Sequence, residues 1–218
     1  MTRFVPLLLL VTAASISLTG CGPPMGAMGM PGGGGMGAMP DQNRMMQQND
    51  LMQKLMKDPQ VPTWYGEREK ITLAMGDRVF DKEFERVFDS MTIALATLEA
   101  NVNNMERTSG YITSAVPRLN PERSEQLHKA SLVAYCKYYK YDPSLLEKKG
   151  PYEMDPDMMR NMNRQGQAMT ISLVKQTPTQ TKVKIRFSNV NYPPELTEYY
   201  KTVWPAIDKQ IFMDRNID

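Results

Sequence analysis

Histidine and cysteine are scarce in this chain of 218 residues, which has one histidine and two cysteines. Zinc sites built from Cys and His need several such ligands, and a Ser-His-Asp triad needs a histidine beside its nucleophile. The one histidine, His128, has no Cys, second His or serine motif near it in the sequence. The sequence therefore predicts no metal site, no catalytic residue and no bound cofactor.

A strong net charge is also lacking. The chain has 26 Lys and Arg against 24 Asp and Glu, which gives a formal net charge of +2. The basic residues are spread among acidic ones instead of forming a stripe. Because a protein that binds nucleic acid needs a clustered basic surface, the sequence predicts no nucleic-acid partner.

The N-terminal apolar run is too short for a membrane span. One positive charge, at Arg3, precedes residues 4–18, which are apolar apart from Pro6, Thr12 and a few small residues. This run of roughly 15 residues falls short of the ~20 that a helix needs to cross a bilayer. It is typical of a signal peptide that is removed after export.

The end of this segment has a distinctive sequence. Leu18, Thr19 and Gly20 are followed directly by Cys21, and this resembles the lipobox of bacterial lipoproteins. The resemblance implies that residues 1–20 are removed, that the thiol of Cys21 takes a diacylglyceryl group, and that the new amine is usually acylated. Since two or more acyl chains hold a protein stably on a membrane, we expect a membrane anchor at Cys21.

Two further expectations follow from the lipobox. By resemblance to the sorting rule of enteric bacteria, Gly22 in place of Asp at the second mature position favours the outer membrane, facing the periplasm. With Cys21 committed to lipid, Cys136 has no partner for an intrachain disulfide. Cys136 is then either a partly buried small apolar residue or a thiol for an intermolecular bridge or other reaction.

Residues 21–63 are predicted to be a tether. Nearly all of residues 22–40 are Gly, Pro or Met, a composition that buries too little surface to offset the entropy of ordering. Residues 41–58 favour a short, weakly amphipathic helix, and Asp41 is a candidate for its cap.

Methionine is concentrated in this tether, and thioethers are ligands that select Cu(I). Copper binding by the tail is therefore a lesser alternative function. Irregular spacing and the absence of His or Cys from the cluster argue against it, and methionine also suits adaptable apolar contacts. The methionines concerned are Met25, Met28, Met30, Met36, Met39, Met45, Met46, Met52 and Met56.

Residues 64–218 are predicted to form the folded domain. Ile71, Leu73 and Met75 alternate with Thr and Ala, which indicates a short strand that ends at Gly76. A helix is then expected to begin at Asp77 or Asp81. Its apolar stripe consists of Phe84, Val87, Phe88, Met91, Leu95 and Leu98.

Two β-hairpins are predicted in this domain. The first joins residues 100–105 to residues 111–116 through a turn that ends in Gly. The second joins residues 169–173 to residues 183–187, and it has the clearest period-two pattern in the chain, with one face apolar and the other cationic. The cationic residues of the second hairpin are Lys182, Lys184 and Arg186.

A final amphipathic helix is expected from about Pro194 to Phe212. Proline is favourable in the first turn of a helix because its missing amide proton has no partner there. Pro205 lies inside the pattern, so the helix is expected to be kinked or split near Val203.

An insertion is predicted at about residues 117–167. Asn120 and Pro121 mark the start of a helix that continues toward Asp142. Its end, residues 137–141, is basic and aromatic, and is either a half-buried helix face or a contact for a partner, sugar or headgroup. The Met-rich segment after it, residues 154–162, is predicted to be a mobile loop.

Together the elements predict an α+β fold in which an antiparallel sheet of four or five strands packs one face against two helices. The element order and the segments EANVNNMERTSGYITSAV, AMTISLV and TKVKIRF resemble the helix-grip domains of small bacterial envelope lipoproteins, including those of the outer-membrane assembly lipoprotein BamC. The resemblance covers residues 67–212, although the insertion and Pro205 depart from it. It implies a non-catalytic adaptor in envelope assembly.

The sequence as a whole favours a membrane-anchored, non-catalytic interaction or adaptor module with an envelope protein as its partner. The alternative is a carrier of a lipid or small apolar ligand, because a helix that grips a curved sheet can enclose an apolar cavity. Catalysis is not predicted. The best acidic pair, Asp155 and Asp157, has no His or basic residue placed to tune it.

Overall fold

The computed structural model describes residues 42–147 and 166–213, and within them it has a five-stranded antiparallel sheet. The strands are β1 (Asp77–Phe80), β2 (Val102–Glu106), β3 (Tyr111–Ala115), β4 (Ala168–Thr177) and β5 (Gln180–Ser188). Their order in the sheet is β1-β5-β4-β3-β2. The predicted α+β fold with an antiparallel sheet and both predicted hairpins are confirmed.

The described part of the chain also contains five α-helices. They are α1 (Gln42–Lys57), α2 (Pro62–Met75), α3 (Phe84–Thr97), α4 (Pro121–Tyr139) and α5 (Pro193–Met213), with a short 3-10 helix at Pro143–Leu146. Helices α3 and α5 pack on each other and supply most of the apolar side chains that cover one face of the sheet. This agrees with the prediction of two helices on one face.

The main core lies between that sheet face and the two helices. Alternate residues of β4 and β5 face it, and Ile171 lies opposite Ile185 across the two strands. Burial of one side chain of this size contributes about 1.5–3 kcal/mol, so the period-two pattern determines which face of the hairpin is inside. The larger buried apolar residues of the hairpin and of α3 are Met169, Ile171, Leu173, Val183, Ile185, Phe187, Val87, Phe88, Met91 and Leu95.

The strand predicted over residues 71–75 is wrong, because this segment is the last part of α2. Ile71 and Met75 are four residues apart and share a helix face that packs on the core, whereas Leu73 is 75% exposed. Over only five residues the alternation of Ile71, Leu73 and Met75 does not distinguish the two structures. In a helix the first and last of these residues share a face and the middle one lies on another. The strand begins only after Gly76, where β1 pairs with β5.

The predicted start of the next helix, at Asp77 or Asp81, was too early, because a strand comes before it. Residues 77–80 are strand, and α3 begins at Phe84 with Glu83 at its N-cap position. At the C-terminus, α5 is a continuous helix that contains Pro205, so the predicted split is wrong. Pro205 is exposed, so water can reach the carbonyl group that loses its intrahelical partner there.

A second, smaller apolar cluster connects α1 to α4 and to the 3-10 helix. It contains Leu51, Val61, Trp64, Tyr135, Cys136 and Leu145. Arg44 donates to the carbonyl oxygen of Ser144 at 2.7 Å, and Gln48 donates to that of Leu145 at 2.7 Å. An isolated helix as short as α1 is marginal in water, so these tertiary contacts stabilise it.

Gly110 occupies a position in the first hairpin that other residues fit poorly. Its φ is +66°, and a Cβ atom there would lie 2.5 Å from the carbonyl oxygen of Leu173. We expect Gly110→Ala to lower the free energy of unfolding by at least about 2 kcal/mol, because strain from φ and a backbone clash add together. Urea denaturation measures this change.

Gly66 is the matched control for that substitution. It lies within α2, and nothing is within 4 Å of the Cβ atom that alanine would add. Gly66→Ala should raise stability by about 0.5–1 kcal/mol through helix propensity. Equal destabilisation by both substitutions would contradict the assigned role of Gly110.

Candidate functional site

Several residues singled out by the sequence lie outside the described residues. These are Cys21 with its lipobox, Met25 to Met39 of the tether, and the pair Asp155 and Asp157. Among the described residues, no helix combines the length and apolar character needed to cross a membrane. The same residues contain no cluster of three His, Cys, Asp or Glu that could hold a metal ion.

A groove of about 510 Å³ lies between α1, α4 and the segment that leads into α5. Helix α1 contributes Met52, Leu55, Met56 and Pro59 at or just beyond its end, and α4 contributes His128, Ser131, Leu132 and Tyr135. Apart from Pro59, which follows the end of α1, the residues of each set are spaced by three or four, so they share one helix face. The remaining lining residues are Trp64, Asn189, Asn191, Tyr192 and Glu195.

One side of this groove is apolar and aromatic. The rings of Trp64 and Tyr192 meet edge to face, with centroids 5.2 Å apart. Tyr135 is buried, and its hydroxyl donates to the carbonyl oxygen of Asp58 at 2.7 Å, just beyond α1. Burial raises the pKa of Tyr135 well above its ordinary value. The phenol therefore stays neutral and keeps donating at physiological pH.

The other side of the groove is polar and lies toward α5. Arg123, in the first turn of α4, donates to Glu198 of α5 at 2.8 Å, which places the start of α4 beside that helix. Asn189 follows β5 with a φ of +59° and donates to the carbonyl oxygen of Gly166 at 2.8 Å. Asn tolerates this left-handed conformation better than most residues. The polar lining residues are His128, Ser131, Asn189, Asn191 and Glu195.

The groove is separate from the sheet–helix interface where a cavity was expected. That interface is filled by buried side chains, including Ile171 and Ile185 from the sheet and Tyr200 and Val203 from α5. Sequence reasoning missed the groove because its residues come from three distant segments, residues 52–64, 128–135 and 189–195, none with a recognisable motif. The one available signal was the Met and Leu spacing in residues 51–56.

A second exposed feature is the edge strand β2. All five of its residues are exposed, and it pairs with a described strand on one side only, through β3. Val102 and Met105 are 40% and 37% exposed, and Ile93 on the neighbouring helix α3 is 53% exposed. Edge strands usually carry charges, Pro or a bulge to prevent pairing with other chains. β2 has no Lys or Pro, although it ends in Glu106 and its register with β3 is irregular between Val102 and Asn104.

The cationic face of the second hairpin is partly neutralised by ion pairs. Asp77 on β1 binds Lys182 at 2.9 Å and Arg186 at 2.7 Å. Burial acts to raise the pKa of Asp77, but hydrogen bonds from these two cations outweigh it, so the pKa is lowered overall. This face is therefore an ion-paired surface and not an open cationic site.

The basic, aromatic segment at the end of α4 holds α1 in place. The hydroxyl of Tyr141 donates to Asp50 at 2.6 Å, and that of Tyr139 donates to the carbonyl oxygen of Gln60 at 3.3 Å. The ammonium of Lys54 lies 3.9 Å from the ring centroid of Tyr139. These contacts favour the half-buried helix face over a binding patch, although Tyr138 is 47% exposed.

Cys136 is fully buried in the smaller cluster. Burial raises the pKa of its thiol from 9.0 to about 11. Only the thiolate is nucleophilic, so the burial of Cys136 and its raised pKa both oppose reaction. Of the two expected roles, the structure favours a small apolar residue of the core.

Cys136 is expected to resist alkylation in the native protein. A pKa higher by two units lowers the thiolate fraction at pH 8 by roughly a hundredfold. Iodoacetamide should therefore modify native Cys136 at least that much more slowly than the same residue in urea, as followed by intact mass. Rapid modification of the native protein would contradict the buried placement.

Comparison of the chain with protein-family models, with curated proteins and with solved structures gives no match. The lipobox and helix-grip resemblances therefore stay predictions. The case for a function depends on the lipobox residues and on the two exposed features, the groove and the β2 edge.

Proposed function

We propose that this protein is a lipid-anchored, non-catalytic interaction module of the bacterial envelope, held at the outer membrane and facing the periplasm. The observation that carries the proposal is the sequence from Leu18 to Cys21 at the end of a short apolar segment. Acyl chains on Cys21 would hold the domain at the membrane. The chain would then act through the proteins that it binds there.

The β2 edge supports a protein partner. An exposed edge strand offers backbone donors and acceptors to an added strand, and neighbouring side chains give specificity. Val102 and Met105 on the strand and Ile93 on α3 supply exposed apolar contacts. A partner segment that pairs with β2 would extend the sheet by one strand.

Site-specific photocrosslinking in living cells tests this proposal. A photoreactive residue at Asn104, on β2, should give a discrete adduct with an envelope protein. The same residue at Glu69, exposed on α2, should not. The substitution Met105→Lys should reduce the Asn104 adduct several-fold, because lysine on an edge opposes strand pairing. Repeated absence of any adduct from β2 would count against an adaptor that uses this edge.

A second candidate function is supported by the groove. Its volume of about 510 Å³ falls within the roughly 300–1,000 Å³ of pockets that hold small molecules. Its lining combines apolar side chains with a few polar ones, as such pockets do. The protein would then carry a small apolar ligand at the membrane, and the titration described below measures this binding.

A further inference from the structure

We propose that the groove binds a small amphiphile whose apolar chain lies toward α1 and whose polar end is a cationic amine. This inference depends on the second of the two functions proposed above. It assigns the ligand class from the way that apolar, aromatic, polar and charged side chains are distributed along the groove.

The apolar end is formed by the second half of α1. Met52, Leu55 and Met56 face the groove there, together with Pro59 and with Leu132 from α4. Thioether and Leu side chains adapt to flexible apolar chains without requiring a fixed shape. From Tyr135 to His128 the α4 face rises about 10 Å, at 1.5 Å per residue. A chain of about eight carbons spans this distance.

The polar end has the character of a cation site. Glu195 contributes a carboxylate, one oxygen of which accepts from the hydroxyl of Tyr199 at 3.5 Å, and Ser131, Asn189 and Asn191 have oxygen atoms that accept hydrogen bonds. Among the described lining residues none is Lys or Arg, although the chain has 26 of these residues. His128 can also become positively charged, but no permanently charged base lines the groove, so the carboxylate and the acceptors favour an ammonium group over a carboxylate or phosphate.

Aromatic rings in the same lining add to this preference. Trp64 and Tyr192 both line the groove and contact each other edge to face. Cations are attracted to the faces of Trp and Tyr rings, and this attraction increases when water is excluded. Tyr192 lies three residues before Glu195 in the chain, so one turn at the start of α5 brings ring and carboxylate to the same region.

The start of α5 is poorly suited to anions. Helix N-termini usually bind anions through free backbone amide groups and the helix dipole. Here the first two helical positions are Pro193 and Pro194, which have no amide proton. Glu195 already places a carboxylate in this first turn. An anionic headgroup would therefore meet a negative charge and no backbone amide donor from the first two positions of α5.

Three probes of equal chain length separate the ligand classes. They are octylammonium, octanol and octanoate; the two ionic probes are added below their micelle concentrations, and octanol below its solubility limit. The protein is the unlipidated mature chain from residue 22, which keeps the whole compact unit Met39–Asp218 and needs no detergent. Tryptophan fluorescence reports binding, because Trp64 lines the groove while Trp204 is buried in the core. Calorimetry gives the affinities independently.

Octylammonium is expected to bind about tenfold or more tightly than octanoate. Glu195→Gln should lower the affinity for octylammonium by about tenfold and leave that for octanol unchanged. Asp208→Asn removes a charge from the same helix, at a residue that pairs with Arg78 outside the lining, and it should leave all three affinities unchanged. Circular dichroism of each variant verifies that the fold is retained.

A second pair of variants locates the binding. Met56 and Met46 are both exposed on α1, at 59% and 68%, but only Met56 lines the groove. Met56→Trp should weaken binding of every probe by partly filling the groove, whereas Met46→Trp should not. Equal binding of octanoate and octylammonium, or no effect of Glu195→Gln, would overturn the amine assignment while leaving a carrier. No binding of any probe would overturn both.

Discussion

Replacing Cys21 with serine is expected to abolish incorporation of fatty acid into the protein and to stop removal of residues 1–20. In the lipoprotein family that the sequence resembles, the thiol is modified first and cleavage then frees the amine of the same residue. Serine has no thiol to modify. Metabolic labelling with a tagged fatty acid and the intact mass of the protein measure the two effects, which should both be complete.

Cys136→Ser is the matched control for this experiment. It removes the other cysteine of the chain, which is buried in the described fold, and it should leave labelling and processing unchanged. Fatty-acid label that persists in Cys21→Ser, or that disappears in Cys136→Ser, would contradict lipid attachment at Cys21. In a further variant, residues 1–20 of the Cys21→Ser protein are replaced with an ordinary secretory signal peptide that is cleaved without lipidation. This exported protein should be recovered in the soluble fraction, because no acyl chains remain to hold it.

Trp204→Ala is expected to cause the largest loss of stability, about 3–5 kcal/mol, which is typical of removing a buried Trp. The side chain is 1% exposed, and its Nε1 donates to the carbonyl oxygen of Met75 at 2.6 Å. The guanidinium of Arg78 lies 4.6 Å from its ring centroid. One residue of α5 therefore contacts the end of α2 and the start of β1. Urea denaturation should show a lower midpoint with an unchanged slope.

Two further substitutions serve as comparisons for Trp204→Ala. The first separates the contribution of packing from that of the hydrogen bond, and the second removes an exposed ring from the same helix. Trp204→Phe retains most of the apolar volume but leaves the Met75 carbonyl without its donor. We expect it to lower the free energy of unfolding by about 1–2 kcal/mol. Phe212→Ala removes an aromatic ring from the same helix at a position that is 62% exposed, and it should change stability by less than about 0.5 kcal/mol. Similar losses for Trp204→Ala and Phe212→Ala would contradict the central position of Trp204.

Local pattern was sufficient for the strongest elements of the fold. The alternation from Met169 to Phe187 predicts the β4–β5 hairpin, and the spacing from Val87 to Leu95 predicts the buried face of α3. In both cases the residue period matches one geometry over many positions. Between Ile71 and Met75 only five residues were available, and a helix fits them as well as a strand. Pairing of β1 with β5, more than a hundred residues away, settles that part of the chain.

The candidate groove was beyond prediction for a related reason. Trp64, His128 and Glu195 are far apart in the chain, and each has an ordinary role when considered alone. The groove exists because α1 packs on α4 through Leu51 and Tyr135 and because α4 is held beside α5. Neither contact leaves a local signal in the sequence.

The sequence by itself determined the class of fold and the predicted membrane address. Both depend on short-range properties, namely the periodicity of apolar residues and the order of four residues ending at Cys21. The tertiary structure alone decided that α1 joins the folded unit, that Cys136 is buried and that a groove with Glu195 at its polar side exists. These features depend on contacts between segments that are distant in the chain. Such contacts are determined by how side chains fill the interior, and this is fixed only when the whole chain is packed.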